Sequence, residues 1–347
     1  MRNKLRFSSA LCLLIAASVR AADAPKPRVM RFGINPHENQ GHASPYLRAA
    51  AEFKAEVEKA VGSRLTVEIV DMGKLFGMRD KRDDGAMDAL AAGSLDIAGV
   101  TTTALARRHE PRLHLFDLPF AFANAEQVER VVAGPLGEKL ASGLPAKGLR
   151  ALAYTYSGGF RVVAANRPIR SLKDLAGLRV WVAPSPYLEA EFAALGAVPV
   201  AAGRPKQLAE AGKIDAEENT YNFLEARSDL QKSFPYLNEM QSDFYVTVTL
   251  ASAKFLDSLD AGERAAVLAA AKKAAASERS GTLRDNAEIA ERLVKRGMTR
   301  VALTAEARAE LAKRAAPVLE RYSREVDATV LPEVRALERR SAQTASR

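Results

Sequence analysis

Apolar positions in the first third of the chain switch between two spacings. Arg31–Asn35 reads as a first strand that ends in a polar loop carrying His37 and His42. Leu47, Ala50, Phe53, Val57 and Val61 then fall on one helical stripe, with Ser44 as cap, Pro45 at the first position and Gly62 beyond the end. Leu65, Val67 and Ile69 return to strand alternation. A helix follows to about Ala92 and stops at Gly93, and Leu95–Val100 forms a third strand. This β-α-β-α-β order requires parallel strands joined by helical crossovers. Helices over Ala125–Ala133 and Leu136–Leu144 complete a first lobe.

The chain then crosses along Leu149–Ser157 into a second lobe that runs to about Asn238, and Phe244–Leu250 reads as a strand returning to the first. Two crossings in opposite directions predict an α/β protein of two lobes with a hinge. A long helical pattern starts near Asp260, with Glu263 placed for a capping box, and reaches about Arg296. Gly281 interrupts it at a cost of roughly 1 kcal/mol relative to alanine. Helices over Ala305–Ala315 and Ala316–Leu337 finish the fold. The expected division is a segment 1–22 that is removed, a first lobe of 28–157 plus 244–280, a second lobe of 158–243 plus 281–340, and a tail of 341–347.

The most informative stretch runs from Ser157 to Asn219. Arg161, Val162, Val163 and Ala164 suit a buried strand closed by the turn Asn166-Arg167-Pro168. Ser171 stands where the cap of a short helix belongs, Gly177 ends that helix, and the β-branched and aromatic run Leu178–Val182 is the next strand. Five pieces fall in order: Gly159-Phe160-Arg161, Asn166-Arg167-Pro168-Ile169, Asp174-Leu175-Ala176-Gly177-Leu178-Arg179, Gly196-Ala197-Val198-Pro199 and Asp215-Ala216-Glu217-Glu218-Asn219. Together they resemble the periplasmic solute-binding subunits of TRAP transporters, the DctP-like family, and the likeness extends over nearly the whole mature chain.

The resemblance implies a periplasmic-binding-protein-like fold, each lobe a mixed sheet flanked by helices, with a long helix spanning both. It implies capture of a small organic solute between the lobes, a carboxylate above all, and delivery to the TRAP membrane permease subunits. It assigns Arg161 as one of the family's binding arginines and Asn219 as its cleft asparagine. The family's principal carboxylate-binding arginine falls on Trp181, the single tryptophan of the chain. Arg179, on the same strand face, is an alternative substitute. Loss of that arginine leaves a neutral or cationic ligand open, with the indole stacking on a planar body or holding a cation against its face. Partnership with a membrane sensor is the alternative to transport.

In open α/β sheets ligands sit beyond the carboxyl ends of strands, which makes Asn35 and Thr101 further candidate lining residues. Either could equally be a turn residue satisfying backbone groups.

Composition adds localisation. Arg2, Lys4 and Arg6 precede a short apolar run, Phe7–Ser18, with small-residue cleavage sites near Ala21 and Ala22. The run is shorter than the ~17–25 residues of a spanning helix, so a cleaved export signal to the periplasm is expected. The sole cysteine, Cys12, lies inside it, which removes disulfide and thiol chemistry from the mature chain. The formal charge of +9 falls to +5 when Arg2, Lys4, Arg6 and Arg20 are removed. The remaining excess is scattered, without an aromatic-interleaved basic stripe, so nucleic acid is not an expected partner.

There is no phosphate-binding loop, dinucleotide fingerprint or nucleophile elbow. His37/His42 and His109/His114 are each five apart, which does not place a pair on one helical face for a metal. Asp83-Asp84 and Glu217-Glu218 are adjacent acids that make poor acid/base pairs. No cofactor, metal or catalytic role is expected, and the chain is expected to act as a monomer.

Overall fold

The computed structural model describes residues 27–34, 45–76 and 79–345. Among the described residues the strands are β1 Arg28–Ile34, β2 Leu65–Asp71, β3 Ile97–Thr101, β4 Leu149–Phe160, β5 Val162–Ala165, β6 Arg179–Trp181, β7 Val198–Val200, β8 Ala216–Asn219, β9 Tyr236–Glu239, β10 Phe244–Ser252 and β11 Thr299–Ala302. They form two mixed sheets, ordered β2-β1-β3-β10-β4 and β11-β9-β5-β8-β6-β7.

The alternating segments at the start of the chain give the parallel strands β1, β2 and β3. The crossover helix Pro45–Val61 buries Ala50, Phe53 and Val57 against them. The returning strand β10 enters this sheet antiparallel between β3 and β4. In the second sheet β5 runs antiparallel to β8 and β9, while β6 is parallel to β7 and β8. Each sheet therefore combines local crossovers with strands that return from far along the chain.

The crossing segment is one twelve-residue strand, β4, and its far end is bent on purpose. Ser157 and Gly159 both have positive φ, 48° and 72°. Gly158 lies so close to the second lobe that a Cβ there would come within 2.4 Å of the Thr220 side chain. Glycine is the residue that permits this approach. Glu278 accepts the Tyr156 and Ser157 N–H groups at 2.7 Å each, and the Asn286 amide donates to the Gly158 carbonyl at 2.7 Å. The backbone of the crossing segment is thus hydrogen-bonded from the side by one helix.

That helix is Ala261–Lys295, 35 residues and roughly 50 Å at about 1.5 Å per residue. It starts with the expected reciprocal Asp260/Glu263 capping box. It packs on the helix Pro45–Val61 and β4 of the first sheet, and on the helix Tyr221–Glu225 and β11 of the second. Gly281 does not break it. Its packing over both sheets outweighs the small propensity cost.

The C-terminal region departs from expectation. A single helix, Ala305–Glu325, continues through Pro317, and a second covers Val330–Ala345. The break expected at residues 315–316 is absent because Leu311, Ala315, Val318 and Tyr322 form one buried stripe. That burial offsets the hydrogen bond proline removes. Leu311 and Ala315 join the core of the second sheet, whereas Val318, Tyr322 and the residues Val330, Leu331 and Val334 join the core of the first. Among the described residues no helix is long and apolar enough to cross a membrane.

Candidate functional site

β3 ends at Thr101, which caps the helix Thr102–Arg108 by accepting from the Ala104 N–H at 3.1 Å. Its hydroxyl also donates to Asp83 Oδ2 at 2.7 Å, and its N–H donates to the same oxygen at 3.2 Å. The next two threonines are equally committed: Thr102 donates to the Val246 carbonyl at 2.9 Å and Thr103 to Asp117 Oδ1 at 2.6 Å. All three side chains fix the loop rather than wait for a partner.

Opposite this strand end lies a cavity of about 230 Å³ between the two sheets. Asp83, Thr101, Thr103 and Arg107 line one wall; Arg161, Trp181 and the turn 201–203 line the other; Tyr245 of β10 lies between. Trp181 ends β6. Its indole N–H donates to the Gly203 carbonyl at 3.2 Å, which fixes the ring with only 6 % of the residue exposed. The ring belongs to the core of the second sheet and to the cavity wall at once.

Arg161 does not sit on a strand as read from its sequence. It is the single residue between β4 and β5, where the chain changes sheets. It is 4 % exposed and donates to Asp243 Oδ1 at 2.8 Å, with Glu218 Oε1 at 3.6 Å and the Tyr245 ring centroid at 5.1 Å. Burial alone would lower its pKa, but Glu218, Asp243 and Asp117 together hold it above the ordinary arginine value.

Behind it lies a buried set of four carboxyl groups, Asp117, Glu191, Glu218 and Asp243. Burial, reinforced by Asp243, pushes the Glu191 carboxyl well up; burial also raises Glu218 against the pull of Arg161, with Asp243 and Glu191 adding to the rise. Asp243 is raised by burial despite Arg161. Asp117 goes the other way: burial is outweighed by His114, Arg161 and Thr103, and its carboxyl sits below the usual range. Four acids crowded around one guanidinium in a low-dielectric interior disfavour full ionisation, and Glu191, Glu218 and Asp243 are accordingly all shifted upward.

The remaining expected residues fall elsewhere. Asn219 ends β8, but its amide donates to Glu217 Oε1 at 3.0 Å and its carbonyl oxygen accepts from the Thr220 N–H at 3.0 Å. It is not among the cavity-lining residues. Arg179 is engaged at the other end of β6 by two hydrogen bonds to Asp215, both 2.7 Å, and does not reach the cavity. Asn35 lies outside the described residues. Sequence reasoning missed Asp83 as a lining residue, Arg107, Tyr245 and the buried acids. The available signal was Glu191 beside Phe192 and three residues after Leu188, an acid on the buried face of the helix Pro186–Ala194. Among the described residues no group of three or more histidine, cysteine or acidic side chains is arranged to hold a metal ion.

Comparison with known proteins agrees with this architecture. The chain is 28 % identical over 334 residues to the C4-dicarboxylate-binding periplasmic protein DctP of Rhodobacter capsulatus, covering 94 % of this chain and 95 % of that one. The crystal structure of the sugar acid binding protein of Advenella mimigardefordensis in complex with galactonate superposes with a TM-score of 0.79 at 27 % identity, covering 90 % of this chain and all of that one. A TRAP periplasmic solute-binding protein from Polaromonas, bound to D-erythronate, gives 0.78 at 25 %, covering 89 % and 98 %. The profile of the bacterial extracellular solute-binding proteins, family 7, matches residues 37–325, and the chain belongs to that family, the DctP-type solute receptors of TRAP transporters.

Proposed function

We propose that this protein is exported with removal of residues 1–22, captures a small organic acid in the cavity between its two lobes, and delivers it to an ion-gradient-driven TRAP permease in the membrane. Arg161 meets the ligand carboxylate from the floor of the cavity, Trp181 packs against its body, and Thr101 shapes the opposite wall. Asn219, the cleft asparagine of the family resemblance, is held by Glu217 and Thr220 outside the cavity lining and is assigned no ligand contact. The observation that carries this reading is the convergence of Arg161 and Trp181, from different strand ends of the second lobe, on one cavity closed by the first. A ligand touching both walls favours the closed arrangement by its differential affinity, which is how a two-lobe receptor couples capture to closure. The relatives that bind C4-dicarboxylates and sugar acids support an organic acid as the solute class.

The test is native mass spectrometry of the purified mature protein, followed by titration of Trp181 fluorescence with organic acids. Binding of a carboxylate with a change in that fluorescence is the expected result. Failure of every acid to bind would remove the reading.

A further inference from the structure

Among the described residues the cavity lining holds a carboxylate, Asp83, that enters no ion pair. Asp83 is 7 % exposed and lines the wall, and both of its hydrogen bonds, from the Thr101 N–H and hydroxyl, fall on Oδ2. Among the described residues it enters no ion pair. Arg107, the nearest cavity cation on the same wall, shares both oxygens of Asp84 at 3.2 Å. Arg161 across the cavity is met by Asp243 at 2.8 Å, with Glu218 behind it. Each lining guanidinium therefore has a resident carboxylate, and Asp83 is left over.

A ligand that fills the cavity displaces water from the Asp83 carboxylate, which is costly without a partner, and a cation on the ligand removes that cost. Trp181 reinforces the preference, because the electron-rich face of an indole attracts a cation and repels an anion. A dicarboxylate would meet Arg161 at one end and add a second negative charge beside Asp83 at the other. A polyhydroxy acid would offer Asp83 a hydrogen bond but no charge.

We propose that the solute is a zwitterion: a small ammonium carboxylate whose carboxylate faces Arg161 and whose ammonium group faces Asp83 Oδ1 and the Trp181 ring. This rests on the receptor function proposed above and narrows its ligand. The exchange of the family arginine for Trp181 then has a physical role, since it removes a positive charge from the place a ligand cation occupies.

The experiment is calorimetric titration of the mature protein with matched triples that share a carbon skeleton: an α-amino acid, its α-hydroxy analogue and its unsubstituted acid, in aliphatic and aromatic series, with γ-aminobutyrate and succinate alongside. The expected result is that at least one ammonium acid binds about tenfold or more tightly than its hydroxy and unsubstituted counterparts, as a charge-assisted hydrogen bond requires. Asp83→Asn, which keeps an acceptor for Thr101, should shrink that ratio by a similar factor. Equal or tighter binding of the hydroxy acids, the unsubstituted acids or succinate overturns the zwitterion while leaving the receptor in place. An ammonium preference that survives Asp83→Asn overturns the assignment of Asp83. No binding by any acid in the panel overturns both readings, and because the triples are compared on the unaltered protein, a variant that fails to fold does not spoil the test.

Discussion

The two walls of the cavity are built in opposite ways. On the first-lobe wall Thr101, Asp83 and Arg107 are held by neighbours in the same strand–helix corner: a cap, two bonds from one threonine, and a half-exposed ion pair with Asp84. On the second-lobe wall Arg161 and Trp181 are buried and fixed by groups far along the chain, Asp243 and Gly203. The first wall can change its chemistry without disturbing the core. The second cannot, because its arginine is also the cation that neutralises a buried acid cluster. Specificity is therefore adjustable on one side, while the other side carries both binding and stability.

The largest expected effect follows from that difference. Arg161→Ala should cost about 3–5 kcal/mol of folding stability, because it leaves Asp243 and Glu218 buried without their cation. Denaturant unfolding measures it, and a loss below about 1 kcal/mol would mean that the acid cluster does not depend on Arg161.

The acid cluster also sets a pH dependence. Glu191 is held protonated well above its ordinary value of 4.5 in the folded state, so it contributes stability that is full below that value and is lost as pH rises through the folded one. Stability of the wild type should decline on going from pH 5 toward pH 8, and Glu191→Gln should flatten that decline. Parallel urea titrations at the two pH values make the comparison; an unchanged slope would assign the decline to another group.

On the first-lobe wall the effects are smaller. Thr101→Val removes the cap of the helix Thr102–Arg108 and one bond to Asp83, for an expected loss of about 1 kcal/mol in unfolding free energy. Smallest of all, Asp84→Asn breaks the half-exposed pair with Arg107 and should change stability by less than about 1 kcal/mol. A thermal shift in Asp84→Asn as large as that of Arg161→Ala would break the contrast between the walls.

Much of the frame was readable in advance, and particular residues say why. The pair Leu65 and Val67 and the stripe Ala50, Phe53, Val57 report burial on one face, a local property of strand and helix, whereas Ile69, next in the strand alternation, is exposed. The Asp260/Glu263 box lies within one turn. Where local rules failed, packing had overruled them, as in the helix that runs through Pro317 because its apolar stripe continues on both sides. At the site, Thr101, Arg161 and Trp181 were traceable from strand ends and from the family resemblance, and they do converge on one cavity. The bonds that occupy Asn219 involve its own sequence neighbours, yet only the folded geometry turns its side chain toward them.

The sequence by itself determined the order of elements, the two crossings between lobes and the family, because periodicity, caps and turn residues act over a few positions of chain. Only the tertiary structure decided the charge balance of the cavity. Arg161 meets Asp243 across 82 residues of chain and Trp181 meets Gly203 across 22. Among the described residues Asp83 enters no ion pair, and the two arginines that line the cavity with it, Arg107 and Arg161, are held by other acids. The sequence shows that these charges are present. Which charge neutralises which depends on distances of a few ångströms in a low-dielectric interior, and folding sets those distances.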